Sequence, residues 1–216
     1  MSCNIYDDGI PAALLTLEPG EYDDDFIAKA IGEARKGDRR LILVDEDVGL
    51  FLKWSDPDLD LHIDADRGNW DIFADNYYDT HFDRLSSIMI RRDGLTEEHW
   101  RVAKVHLAAI LAETGAEPGA DLMALRRAVH RVTHDHLAAM YASAGRDDLD
   151  ASAAWVILAA LQEAAGRFAA RDPDLPLVSV LRWLKGDPRS ILFITAHAPV
   201  PAACPTVRGA MYAFEI

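Results

Sequence analysis

The hydrophobic period changes twice along this chain, and this limits the folds open to it more than any other feature. Apolar runs at residues 41–44 and 191–195 are typical of buried strands. Between about residues 94 and 188, apolar residues instead recur at helical spacing. Strands that follow a helical block need partners, because unpaired strand edges are costly. We therefore expect the C-terminal strands to rejoin a sheet formed by the N-terminal part.

These patterns predict an α+β fold. A mixed or antiparallel sheet is expected from the N-terminal part and the C-terminal strands, with about four helices from residues 96–185 packed on it. We expect one unit over residues 1–216; the alternative has parts at 1–93, 94–188 and 189–216. The predicted strands are 41–44, 48–54, 59–66, 86–90, 191–195 and 210–216. The predicted helices are 23–35, 96–114, 121–144, 150–170 and 177–184.

The acidic charge is confined to one part of the chain. The sequence has 36 acidic and 22 basic residues, a net charge of −14. Residues 1–83 hold 21 acidic and 7 basic residues, whereas the remainder holds 15 of each. Phosphates would repel the first part, so the distribution argues against direct nucleic-acid or membrane-surface binding. It favours a basic protein partner.

Part of that charge alternates along a predicted strand. Asp58, Asp60, His62, Asp64 and Asp66 are separated by apolar residues, which places them on one face. Neighbours on that face lie about 6.6–7 Å apart, too far to share a metal ion without other ligands. The face is therefore either a solvated surface or a partner-binding surface, and the latter includes a mimic of nucleic-acid phosphates.

Residues 69–84 interleave large rings with carboxylates. Trp70, Tyr77 and Tyr78 are the rings that we assign to partner binding, since aromatic residues among acids suit an arginine-rich surface. In the alternative interpretation the rings face the core and the acids face water.

Five of the eight histidines lie on the first two predicted helices of the block. His130 and His134 are four residues apart and would share a helix face on which one ion could be chelated. His136 falls on the apolar side and is expected to pack in the core. His99 and His106 share a face of the preceding helix.

The segment beginning His99-Trp-Arg-Val-Ala and ending His134-Asp135 resembles part of the HD-domain metal phosphohydrolases. The resemblance covers about 40 residues and implies that His99, His134 and Asp135 ligate a divalent ion that activates water. The sequence departs from the family pattern, because the later metal-binding aspartate has no clear counterpart.

We therefore expect a non-catalytic binding or inhibitor protein without a cofactor, which presents its acidic N-terminal surface to a basic partner. A nucleic-acid mimic from a bacterial mobile element is one version. The alternative is the divalent-metal phosphohydrolase; no motif settles whether the chain is an enzyme, and no glycine-rich phosphate loop occurs. The sequence is also compatible with a homo-oligomer. Two cysteines and an acidic segment 1–20 without signal-peptide character favour the cytoplasm.

Overall fold

Five strands form one sheet in the part of the chain that the structure describes. The structure is a computed structural model that describes residues 3–7, 10–16, 23–45, 48–64, 67–76, 79–143, 151–166 and 172–195. The strands are β1 (Cys3–Asp7), β2 (Ile10–Thr16), β3 (Arg40–Asp45), β4 (Leu61–Asp64) and β5 (Ile191–Thr195). Their order in the sheet is β1-β2-β3-β5-β4. β1 is antiparallel to β2 and every other pair is parallel.

The C-terminal strand completes the N-terminal sheet. β5 lies between β3 and β4, with Leu41 opposite Ile191 and Leu61 opposite Leu192. All residues of β3 and β5 are buried, as expected for strands that have partners on both sides. The predicted α+β class is therefore confirmed, and the sheet is mixed. The predicted strand at residues 210–216 lies outside the described residues.

Helices make up most of the remaining described chain. Before the helical block they are α1 (Asp24–Ala34), α2 (Gly49–Trp54), α3 (Ile72–Asp75) and α4 (Asp79–Met89). From residue 97 onward they are α5 (Glu97–Gly115), α6 (Leu122–Arg131), α7 (His134–Ser143), α8 (Ala151–Gly166) and α9 (Val180–Lys185). Local capping explains two of the starts: Asp23 accepts a hydrogen bond from the Asp25 amide, and Thr96 accepts one from the His99 amide.

Two predicted strands are helices instead. Residues 49–54 of the first form α2, where Leu50, Phe51 and Trp54 recur at helical spacing and pack against the sheet core. Residues 86–90 lie mostly in α4, whose Ile88 and Met89 are buried. Short apolar runs do not distinguish a strand from a buried helix by periodicity alone, which is why both predictions were wrong.

The long helix predicted at residues 121–144 is two helices. α6 ends at Arg131, and Val132 has an extended backbone with ψ of 125°. The Thr133 hydroxyl then accepts a hydrogen bond from the His136 amide at 3.2 Å, as an N-terminal cap does. The break resets the helical phase, so Leu137 is buried and His136 is exposed. The prediction that His136 packs in the core was therefore wrong.

The chain forms two compact units. One comprises Met1–Asp75 and Ala169–Ile216, and the other comprises Asn76–Phe168. In the first unit, α1 and α2 cover one face of the sheet. The buried residues of that core are Ile27, Ile31, Ala34, Leu41, Leu43, Leu50, Ile191 and Phe193. In the second unit α5, α6 and α8 pack on one another, and α7 packs on α8. Among the described residues, no helix is both long and apolar enough to cross a membrane.

Candidate functional site

Asp60 belongs to the interior of the sheet unit and not to a solvated acidic face. Its side chain has no exposed area and accepts two hydrogen bonds from the Arg35 guanidinium, at 2.6 and 2.5 Å. The same carboxylate accepts hydrogen bonds from the backbone amides of Asp56 and Ile191, each at 2.8 Å. Asp60 therefore fastens the start of β4 to α1 and β5, and the expectation that it faces water was wrong.

The other aspartates of the predicted acidic strand do not form a row with Asp60. Asp58 is exposed in a turn, and its amide donates to the Asp56 carboxylate at 3.1 Å. Asp64 is half-buried at the end of β4, where its carboxylate accepts from the Arg67 amide at 3.2 Å. Asp66 lies outside the described residues. β4 spans only Leu61–Asp64, so the predicted strand at 59–66 is shorter than its alternating pattern.

Trp70 is a core residue. It is 2% exposed, and its indole Nε1 donates to the Asp75 carboxylate at 2.6 Å. Asp75 has no exposed area and also accepts from the Ser179 hydroxyl and from the amides of Val180 and Leu181. Burial raises the pKa of Asp75, although these four donors oppose the shift. The assignment of Trp70 to partner binding conflicts with this burial; Tyr77 and Tyr78 lie outside the described residues.

The predicted metal ligands do not meet. In the described part of the chain, no three histidine, cysteine, aspartate or glutamate side chains are grouped so that they could hold an ion. His99 lies in the first turn of α5, whereas His134 contacts Asp135 at 3.0 Å and stacks on Trp155. His130 and His134 lie on different helices, so the expected chelating pair is not formed by helical spacing.

His62, the second residue of β4, is a half-buried histidine that contacts the end of β5. The His62 Nε2 atom lies 2.8 Å from the Thr195 hydroxyl, and the imidazole stacks on Phe51 with ring centroids 4.2 Å apart. Burial lowers the pKa of His62 below 6.5, its ordinary value. The unfolded chain therefore takes up this proton at a higher pH than the folded chain does.

We expect the protein to lose stability as the pH falls below about 6.5, because protonation of His62 is easier in the unfolded state. Urea unfolding at pH about 7.5 and about 5.5 should show a smaller acid-induced loss for His62→Gln than for the wild type. His106, whose pKa is lowered mainly by burial, supplies part of the remaining loss. An equal loss in both proteins would contradict the assignment to His62.

The second unit contains a cationic surface that the charge distribution had concealed. α6 carries Arg126, Arg127, His130 and Arg131 and no acidic residue; these four residues are called the α6 cationic face below. Arg127, His130 and Arg131 are exposed and Arg126 is half-buried. At 100° per residue the four positions span an arc of about 140°. The opposite side of the helix is apolar and buried, and consists of Leu122, Leu125 and Val129.

The arginines of the α6 cationic face form no ion pair with the described residues, in contrast to Arg101 and Lys104 of the same unit. Arg101 pairs with Glu98 at 2.8 Å and Lys104 pairs with Asp83 at 3.1 Å. Residues 76–168 contain 10 basic and 13 acidic residues, a net charge of −3 out of the total of −14. The sequence signal for the surface was present in Arg-Arg-Ala-Val-His-Arg, which contains no acid.

The chain matches a known protein family over most of its length. Residues 23–210 match the family model of the type IV secretion-system coupling protein DNA-binding domain. This range includes most of the sheet and all of the second unit. No curated protein and no solved structure matches the chain.

This match overturns the functional expectations drawn from the sequence. A non-catalytic inhibitor that offers an acidic surface to a basic protein is contradicted, and so is the resemblance to HD-domain phosphohydrolases. The expectation of no direct nucleic-acid contact is contradicted by the same finding. The expectation of no nucleic-acid contact was wrong because it relied on the net charge of residues 1–83. The affinity of a protein for DNA depends instead on the local charge of the surface that contacts it.

Proposed function

Since the chain belongs to the family of type IV secretion-system coupling protein DNA-binding domains, we propose that it binds DNA and that the α6 cationic face contacts the phosphates. The observation that carries this proposal is a helix side with three arginines, one histidine and no carboxylate. Phosphate contacts supply most of the sequence-independent affinity of proteins for DNA.

The absence of an ion pair between these arginines and any other described residue supports this role. An arginine engaged by a carboxylate must give up that partner before it can contact a phosphate, whereas Arg126, Arg127 and Arg131 have none among the described residues. The buried side of α6 also matters, because Leu125 and Val129 have no exposed area and fix the helix in the second unit. The cationic face is thus held on a rigid element, and little ordering entropy is lost on binding.

The charge of the rest of the chain sets a limit on the affinity. Residues outside 76–168 hold 12 basic and 23 acidic residues, a net charge of −11, which opposes the approach of a polyanion. We expect measurable binding at low ionic strength and a steep decline as salt is added, because counterion release drives the contact. Little dependence on base sequence is expected, since phosphates carry no sequence information.

The test is DNA binding by the triple variant Arg126→Gln, Arg127→Gln, Arg131→Gln, measured by fluorescence anisotropy. We expect its affinity at low salt to fall at least about tenfold, and its slope of log K against log salt to decrease by about one for each arginine that contacts a phosphate.

The matched control is Lys36→Gln, Lys53→Gln, Arg101→Gln, which removes the same charge from exposed cations that already pair with Glu33, Asp24 and Glu98. The control triple should keep most of the wild-type affinity and slope. Equal losses in the two triples would show that only total charge matters and would overturn the assignment to α6.

The same proposal includes a cytoplasmic location. Its support is the presence of only two cysteines, which have no spacing typical of a disulfide framework. Recovery of the untagged protein in the membrane or periplasmic fraction of its host cell would contradict that location.

A further inference from the structure

A cavity lies in the first unit between one side of α1 and the start of β3; it is called the α1 cavity below. Its volume is about 300 Å³. This is the lower end of the range for small-molecule sites, so the cavity fits a small ligand and not a segment of a partner protein. The α6 cationic face belongs to the second unit, so a ligand in the α1 cavity is independent of the proposed DNA contact.

The buried part of the cavity lining is apolar. Ala30, Ala34 and Leu41 line it, and Ala34 and Leu41 are only 4% and 3% exposed. Phe26 lines it as well and is 52% exposed. The two alanines leave the space open, because longer apolar side chains at these positions would fill it. An apolar group in the cavity would cover part of the Phe26 ring and gain the free energy of removing apolar surface from water.

Two cations in the lining are available to a ligand. Lys29 and Arg39 are exposed, and neither forms an ion pair with another residue that the structure describes. Glu33, the acid among the described lining residues, already pairs with Lys36 at 2.6 Å. The pKa of Glu33 is lowered mainly by Lys36 and also by the charges of Lys29 and Arg39, so these cations lie near one another.

The charge of the lining is opposite to that of the unit that contains it. The first unit has a net charge of −11, whereas the described lining has three basic residues and one acidic residue. The third base, Arg40, is buried and donates to the carbonyls of Trp183 and Gly186 at 2.7 and 2.9 Å, so its charge is fixed in place. A cationic border around an apolar cavity is complementary to an anion that carries an apolar body.

We propose that the α1 cavity binds a small amphiphilic anion, namely a carboxylate with an alkyl chain of medium length. The carboxylate accepts charge-assisted hydrogen bonds from Lys29 and Arg39, and the chain lies on the apolar lining. Between Phe26 and Ala34 the helix advances about 12 Å, which accommodates such a chain. An anionic phospholipid shares this chemistry, but it has two long chains and the cavity holds one short chain; the ligand is therefore a free acid.

The charge is tested by isothermal titration of the full chain with decanoate, kept below its micelle concentration, and with decanol. We expect Lys29→Gln with Arg39→Gln to weaken decanoate binding at least about tenfold, as the loss of a charge-assisted hydrogen bond does. Decanol has the same chain without the charge and should bind the wild type and this variant equally. The control is Lys53→Gln with Arg101→Gln, since these exposed cations already pair with acids; it should keep the wild-type affinity for decanoate.

The apolar part is tested by filling the cavity. Ala30→Leu places a larger side chain in the open space and should weaken both decanoate and decanol at least about fivefold. Ala30→Ser is close to alanine in size and should retain binding, and an unchanged circular dichroism spectrum identifies the variants that fold. The proposal is overturned if the wild type does not bind decanoate, if folded Ala30→Leu binds it as the wild type does, or if both double variants lose equal affinity. Binding of phosphatidylglycerol vesicles by a wild type that leaves free decanoate unbound would indicate a membrane contact and would overturn it as well.

Discussion

Replacing Asp75 with alanine is expected to lower the free energy of unfolding by about 3–5 kcal/mol, because it leaves several buried donors without an acceptor. The Asp75 carboxylate accepts from the Trp70 indole and the Ser179 hydroxyl at 2.6 Å each, and from the Val180 and Leu181 amides at 2.9 Å each. Trp70 and Ser179 are themselves buried, so water replaces the lost acceptor poorly. Urea denaturation followed by circular dichroism measures the loss.

The variant Asp75→Asn separates the contribution of the two acceptor oxygens of Asp75 from that of its charge. The amide keeps one acceptor oxygen and loses the other, so we expect a loss of stability between those of the wild type and Asp75→Ala. Since burial raises the pKa of Asp75, its ionisation costs free energy as the pH rises through the raised value, and Asp75→Asn removes that cost. The control is Asp71→Ala, which removes an acceptor of one 3.2 Å bond from the Ala74 amide and should cost about 1 kcal/mol or less. Similar losses for Asp71→Ala and Asp75→Ala would contradict a special role for Asp75.

Local signals in the sequence were sufficient for several elements. The helices predicted at residues 23–35 and 96–114 both form, and Asp23 and Thr96 cap their N-terminal ends. The apolar run at residues 191–195 had no partner nearby in sequence, so the cost of unpaired edges assigned it to the N-terminal sheet. It forms β5, between β3 and β4. Such predictions succeed because the decisive interaction is local, or because only one partner is available.

The predictions that failed depended on contacts between distant segments. Alternation along residues 58–66 correctly placed Ile63 in the core, but nothing in it reveals that Arg35 and the Ile191 amide converge on Asp60. Likewise, Trp70 and Asp75 contact residues of the segment that returns to the first unit after α8, with Ser179 104 positions from Asp75. An acidic or aromatic residue in a polar stretch is predicted to be exposed until its distant partner is known.

The candidate DNA surface was missed for a different reason, because a net charge summed over a long segment hides the local charge of one helix. The net charge of residues 84–216 is zero, and this value conceals a helix with four positions of potential positive charge and no acid. The predicted single helix at 121–144 also distorted the interpretation, because it placed His130 and His134 on one face as a metal pair. The β-branched pair Val132-Thr133, with its capping hydroxyl, was the local signal that the helix breaks.

Asp60→Ala is expected to destabilise the protein by about 3–5 kcal/mol, because it removes one partner of a largely buried ion pair. The Arg35 side chain is 24% exposed and would retain its charge beside the emptied site. The buried Ile191 amide would lose its acceptor as well, at the point where β5 begins. Thermal and urea unfolding should both shift, and β4, an edge strand, should lose hydrogen-exchange protection before the central strands do.

Asp58→Ala is the matched control, since Asp58 lies two residues away on the exposed surface of the same turn. It should change stability by no more than about 0.5 kcal/mol. Asp60→Asn should be less destabilising than Asp60→Ala, because its amide oxygen can still accept from one donor. A variant with both Arg35→Met and Asp60→Leu removes the charges together and should recover part of the loss, since no uncompensated guanidinium remains. If Asp60→Ala were as mild as Asp58→Ala, Asp60 would not bind α1, β4 and β5 together, and the acidic residues before β4 would again form a solvated surface.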